Sequence, residues 1–151
     1  MGMSLAKALT YRKRVAARIE RVSQDIQSFN SMNVSQEREV DVKVLMSERH
    51  TLMCHMVDLK LAIARASDPV REHILMLSEL KAKSSFLQSI GTQNGKFPPT
   101  FREDPEREYI AIYRKVDIDS KVDETEKEID ERQEALEKHN HMTEVAISPI
   151  V

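Results

Sequence analysis

Glycine occurs three times in this 151-residue chain, cysteine once and tryptophan never. With glycines only at positions 2, 91 and 95, there is no phosphate-binding glycine loop, no G-x-S-x-G elbow and no dinucleotide fingerprint. H-E-x-x-H is absent as well, so the familiar enzyme signatures are missing and a non-enzymatic protein without a cofactor is expected. A lone cysteine cannot close an internal disulfide. An aromatic content of 5% with so little glycine argues against a sandwich or barrel built on glycine turns. No stretch approaches the roughly 18 apolar residues of a membrane span. The opening MGMSLAKALTYRKR carries charge early and lacks the apolar run of a signal peptide, so a cytoplasmic location is expected. The net charge of −2 supplies no global attraction to duplex nucleic acid or to a membrane surface.

What the chain has is charge and helical period. It is 32% charged and 40% hydrophobic, the composition of long exposed helices. Leu5, Ala8, Arg12, Val15, Ile19, Val22, Ile26 and Phe29 recur at three-four spacing, predicting a helix over 5–29 capped by Ser4. Val42, Leu45, Arg49, Leu52, Met56, Leu59, Ile63 and Ala66 repeat the pattern and predict a second helix over 38–66. Its start is blurred, because Val40, Val42 and Val44 alternate with polar residues and also suit a short strand. Ser67-Asp68-Pro69 reads as an N-cap with proline in the first turn, opening a third helix over 69–90 that Gly91 ends in the left-handed conformation.

Asn94-Gly95, Pro98-Pro99 and Pro105 break every regular pattern, and YIAIYRKV at 109–116 then alternates like a strand. Its partner is open: residues 96–102, the Val40 region, the tail at 145–147, or another subunit. Ser120 and Asp123 read as a capping box opening an acidic helix over 120–140, followed by a tail over 141–151. The expected fold is mainly α: one helical domain over 1–151, a long antiparallel hairpin with coiled-coil seams, a small β element at about 96–116 and a C-terminal acidic helix. Residues 1–21 hold six basic side chains against Glu20, whereas 117–144 hold 11 acidic against 4 basic. Narrow seams bury less apolar surface per residue than a compact core, so a homo-oligomer is expected.

Two clusters carry the candidate chemistry. Arg12 and Arg49 interrupt apolar seams; either their stems pack while the heads reach Glu48 or Asp58, or the heads hold an anion at an interface. Phe97, Phe101, Tyr109 and Tyr113 are interleaved with Lys96, Arg102, Arg107, Arg114 and Lys115, rings that can stack a base beside cations that neutralise phosphate. The same rings also suit a small hairpin covering helix ends. The candidate ligand set is therefore Phe101, Arg102, Arg107, Tyr109, Tyr113 and Arg114, with Arg12 and Arg49. His50, Cys54 and His55 lie within about a turn of one another but lack further ligands at matching spacing, so no metal is expected. Met46, Met53 and Met56 read as core filler, and His139 and His141 as partners of a helix C-terminus.

The stretch LAKALTYRKRVAARIERV, Leu5 to Val22, and the stretch from Tyr113 to Val145 resemble the two ends of a family of small bacterial proteins known as septicolysins. The matching positions are Leu5, Ala6, Ala8, Leu9, Arg12 and Arg18, then Val116, Asp117 and Ile118, then Asn140, Thr143, Glu144 and Val145. The central helices match in kind, with Ser67-Asp68-Pro69 in place of the family's glycine-containing turn. The family's name implies a pore-forming toxin, but this chain lacks an amphipathic β-pattern and an apolar exposed helix in its sequence. The layout of long terminal helices around a small antiparallel sheet is also similar to the phage Thoeris anti-defence sponges, which implies sequestration of a cyclic ADP-ribose-type signal. The expected function is a non-enzymatic oligomer that sequesters a small nucleotide-type anion at subunit interfaces. The alternative is a structural or assembly coiled-coil protein with no small-molecule ligand.

Overall fold

The computed structural model describes residues 2–151. Four helices, α1 (Leu5–Phe29), α2 (Val42–Ser67), α3 (Arg71–Ser89) and α4 (Lys115–Met142), make up most of the chain. Four short strands form two antiparallel pairs: β1 (Met3–Ser4) with β4 (Glu144–Val145), and β2 (Gly95–Phe97) with β3 (Arg107–Tyr109). The chain divides into two compact units, one running up to Val70 and including Glu137–Val151, the other Arg71–Leu136.

The first unit is the antiparallel hairpin of α1 and α2. Ser4 caps α1 by accepting the Lys7 N–H at 3.2 Å. At the other end Arg38 reaches back, donating from Nε to the Phe29 carbonyl at 2.9 Å and from Nη2 to that of Asn30 at 3.2 Å, which satisfies carbonyls the helix leaves open. Asp41 then caps α2, accepting from the amides of Lys43 and Val44. That cap explains why α2 begins at Val42 and not at 38, and why the Val40 alternation does not become a strand. Tyr11 meets His55, Arg18 meets Glu48 and Ser23 meets Arg49, so later residues of α1 meet earlier residues of α2. Leu5, Ala8, Tyr11 and Val15 of α1 close on Leu59 and Ile63 of α2, and Val145 of the tail completes the core. Both predicted seams face inward, with Arg12 half-buried and Arg49 exposed where the seam reaches solvent.

Between α2 and α3 the backbone never leaves the right-handed helical region. Asp68 is at φ −54°, ψ −43° and donates to the Arg65 carbonyl, and Asp68–Val70 form a 3-10 turn. Ser67 is therefore the last residue of α2 and not an N-cap. Proline at 69 has no N–H to give and tightens the winding instead of restarting it.

In the second unit α3 buries Leu77, Leu80, Ser84 and Leu87, and α4 buries Ile118 and Thr125. The buried Ser84 hydroxyl donates to Glu126 at 2.7 Å, and Arg132 donates to Nδ1 of His73 at 3.3 Å. Three expectations are corrected here. Gly91 does not end α3 in the left-handed conformation; the glycine at positive φ is Gly95, at 108°, at the start of β2. The strand expected over 109–116 is Arg107–Tyr109, paired with Gly95–Phe97, one of the partners the sequence left open. Ile110 and Ile112 lie almost fully exposed beyond it, because a two-stranded hairpin offers them no further edge or layer. The last helix starts at Lys115 and not at a Ser120 capping box: Asp117 accepts the Arg114 N–H at 3.0 Å, and that link organises the first turn five residues early.

Candidate functional site

The eight candidate ligand residues fall into two groups. Arg12 and Arg49 belong to the first unit; Phe101, Arg102, Arg107, Tyr109, Tyr113 and Arg114 belong to the second. Arg49 Nε donates to the Ser23 hydroxyl at 2.9 Å, and Glu48 pairs with Arg18 instead, accepting from Nε at 2.9 Å and Nη2 at 2.6 Å. Arg107 stands opposite Phe97 in the strand pair, and Tyr109 stands opposite Gly95. The Phe97 and Tyr109 rings meet edge to face at 5.6 Å, and Asn94 accepts the Ala111 N–H at 3.1 Å, extending the pairing by one link. Tyr113 receives Lys121 over its ring at 5.4 Å. Phe101, Arg102 and the Arg114 side chain are exposed. The hairpin thus gathers Phe97, Arg107 and Tyr109, while Phe101 and Tyr113 lie outside that cluster.

Two features of the first unit were not foreseen. One is the tail. The pairing of Met3 with Val145 and the bond from the Leu5 N–H to the Thr143 carbonyl at 2.7 Å bring the last residues back to α1. The buried Tyr11 hydroxyl accepts the Ile150 N–H at 2.8 Å and lies 2.8 Å from Nε2 of His55, and Arg14 donates to the main-chain oxygen of Val151 at 3.2 Å. His139 donates from Nε2 to the Ala66 carbonyl at 2.7 Å, so the histidine expected to serve its own helix end serves the end of α2. A cavity of about 500 Å³ opens beside this strap, lined by Met3, Ser4, Ala6, Lys7, Thr10, Tyr11, Arg14, His141 and Pro149. None of the eight candidate residues lines it. Among the described residues no cluster of three or more His, Cys, Asp or Glu side chains is placed to hold a metal.

The other feature is a second seam on α2. Met46 and Met53 are not core filler; they are 55% and 44% exposed, and only Met56 packs on the core. With Val57 and Leu61, exposed at 52% and 50%, they form a stripe that His50 and Ala64 continue at three-four spacing. The stripe is about 27 Å long at ~1.5 Å per residue. It lies on α2 away from the Leu52, Leu59 and Ile63 face that α1 covers.

Fold and site together define a mainly α protein, a long helical hairpin with small antiparallel strand pairs. Among the described residues no helix is long and apolar enough to cross a membrane. No protein-family model matches the chain, and no curated protein does. Among solved structures it is similar to a functionally unknown conserved protein from Corynebacterium diphtheriae, at 18% identity with a TM-score of 0.73 over 96% of this chain and 99% of that one. At that identity the likeness is one of fold.

Proposed function

We propose that this chain is a non-enzymatic protein that acts as a homo-oligomer, assembled through the second seam of α2. The observation that carries this reading is the exposed apolar stripe of Met46, Met53, Val57 and Leu61. A helix apolar on one stripe satisfies itself against one neighbour, whereas α2 is apolar on two and has a neighbour for one. A standard interface removes about 800 Å² from each partner.

Sedimentation velocity over a wide concentration range tests the reading. The wild-type chain sediments as an oligomer, and Met53→Glu with Val57→Glu dissociates it while far-UV circular dichroism keeps its helical amplitude. A wild-type monomer at every concentration refutes it.

A second reading is sequestration of a nucleotide-type anion, as in the phage anti-defence sponges, by the residue 96–114 turn. One observation favours it: Phe101, Arg102, Arg107 and the Arg114 side chain are exposed, and no carboxylate pairs with the three arginines among the described residues. Thermal shift with ADP-ribose and cyclic dinucleotides separates the two readings. Stabilisation by the ligand, lost in Tyr113→Ala and Arg114→Ala with the oligomer intact, supports sequestration. No shift at ~1 mM ligand leaves assembly as the function.

A further inference from the structure

The cavity beside the tail has a wall chemistry that assembly does not use. Lys7 and Arg14 stand two helical turns apart on one face of α1, with Thr10 and Tyr11 between them, and His141 joins from the end of α4. Lys7 is not paired with a carboxylate among the described residues, Arg14 meets the main-chain oxygen of the last residue, Val151, and no Asp or Glu among the described residues lines the cavity. Arg14 gives one N–H to the main-chain oxygen of Val151, which leaves most of its five donors uncommitted. Apart from Ser4, the remaining lining is apolar: Met3, Ala6, Pro149 and the carbon ring of Tyr11. Two cations beside an apolar floor, Lys7 without a carboxylate partner and Arg14 with N–H groups to spare, complement a molecule with the opposite division, an apolar body carrying an anionic group. The volume, about 500 Å³, suits a small organic molecule and exceeds what a bare inorganic ion fills.

The floor is built, not incidental. Tyr11 is buried, and its hydroxyl is held by Ile150 and His55, which fixes the side chain that lines the cavity. The tail that supplies Pro149 is tied at Val145, Ile150 and Val151. Lys7, Arg12, Lys13 and Arg14, in the first ten residues of α1, add a field that favours anions at this end of the helix.

We propose that this cavity is a binding site for a small organic anion, a phosphate or carboxylate on an apolar body, with Lys7 and Arg14 holding the charge and the Tyr11 ring and Pro149 the apolar part. The site is independent of the α2 stripe and of the residue 96–114 turn.

Three probes of one shape test it by heteronuclear NMR titration of the whole chain: 1-naphthyl phosphate, 1-naphthoate and the neutral 1-naphthalenemethanol. The expected result is saturable shifts at Thr10, Arg14 and His141 with at least one of the anions, and binding of the alcohol at least about tenfold weaker. Which anion binds tighter identifies the head group. Lys7→Gln, which touches no hydrogen-bond partner through its side chain, weakens the anion about tenfold and leaves the alcohol unchanged; Arg14→Lys retains more affinity than Arg14→Gln. Equal binding of alcohol and anions, no saturable shifts at these residues, or Lys7→Gln binding as wild type overturns the proposal. Because Lys7 lies outside α2, its failure leaves the oligomer measurement untouched.

Discussion

Tyr11 shows how much one side chain arranges in this protein. Its ring is in the core, and its hydroxyl joins α1, α2 through His55 and the tail through Ile150. Tyr11→Phe keeps the ring and removes both links, leaving a part-buried Ile150 amide without its acceptor. The expected cost is about 1–3 kcal/mol, with faster hydrogen exchange at Ile150 and little change within α1. Leu59, wholly buried between α1 and the tail, is a stricter test of packing. Leu59→Ala is expected to lose about 2–5 kcal/mol in urea unfolding. The Arg18–Glu48 pair makes a contrast: both side chains are about a third or more exposed, so Glu48→Gln costs under about 1 kcal/mol. Leu59 was legible in the sequence because its neighbours at 56 and 63 repeat. Tyr11 was not, since it lies one step off the seam and its partners come from residues 55 and 150.

At the scale of elements, long periods were readable and short contacts were not. The two seams predicted α1 to the residue and α2 to within a turn, because apolar spacing repeated over many turns admits one phase. The uncertainty at the start of α2 was resolved by Asp41, whose carboxylate caps a helix that begins at Val42, four residues after its predicted start. YIAIYRKV looked like a strand because alternation and β-branching report a half-buried surface, and in this fold no second layer exists to bury Ile110 or Ile112. The cavity was invisible for a related reason: it needs His141 and Pro149 carried to α1 by a two-residue strand pair, too short to leave a pattern. Gly95 controls the hairpin. At φ 108° a side chain is strained, so Gly95→Ala is expected to cost about 1–2 kcal/mol, seen as loss of the Gly95–Tyr109 pairing in nuclear Overhauser contacts while the four helices persist.

For the molecule as a whole, the account rests on a helix with two apolar stripes and one partner. Met46 and Met53 were read as filler because a methionine in a helical pattern carries no mark of which face it serves; only the burial of Leu52 and Leu59 assigns them to the other side. A second copy laid along the stripe buries those methionines with Val57 and Leu61, and thioethers adapt readily to such a contact. Cys54 is exposed at the edge of this stripe, near its midpoint, and is the only cysteine in the chain. A nitroxide attached there reads the contact without any other substitution. Helices packed along a seam lie about 8–10 Å apart, so pulsed dipolar spectroscopy on the wild-type chain is predicted to give one inter-chain distance on the order of 20 Å, for parallel or antiparallel pairing alike. A sample with no inter-chain dipolar coupling, or with copies coupled only beyond about 50 Å, contradicts assembly through α2.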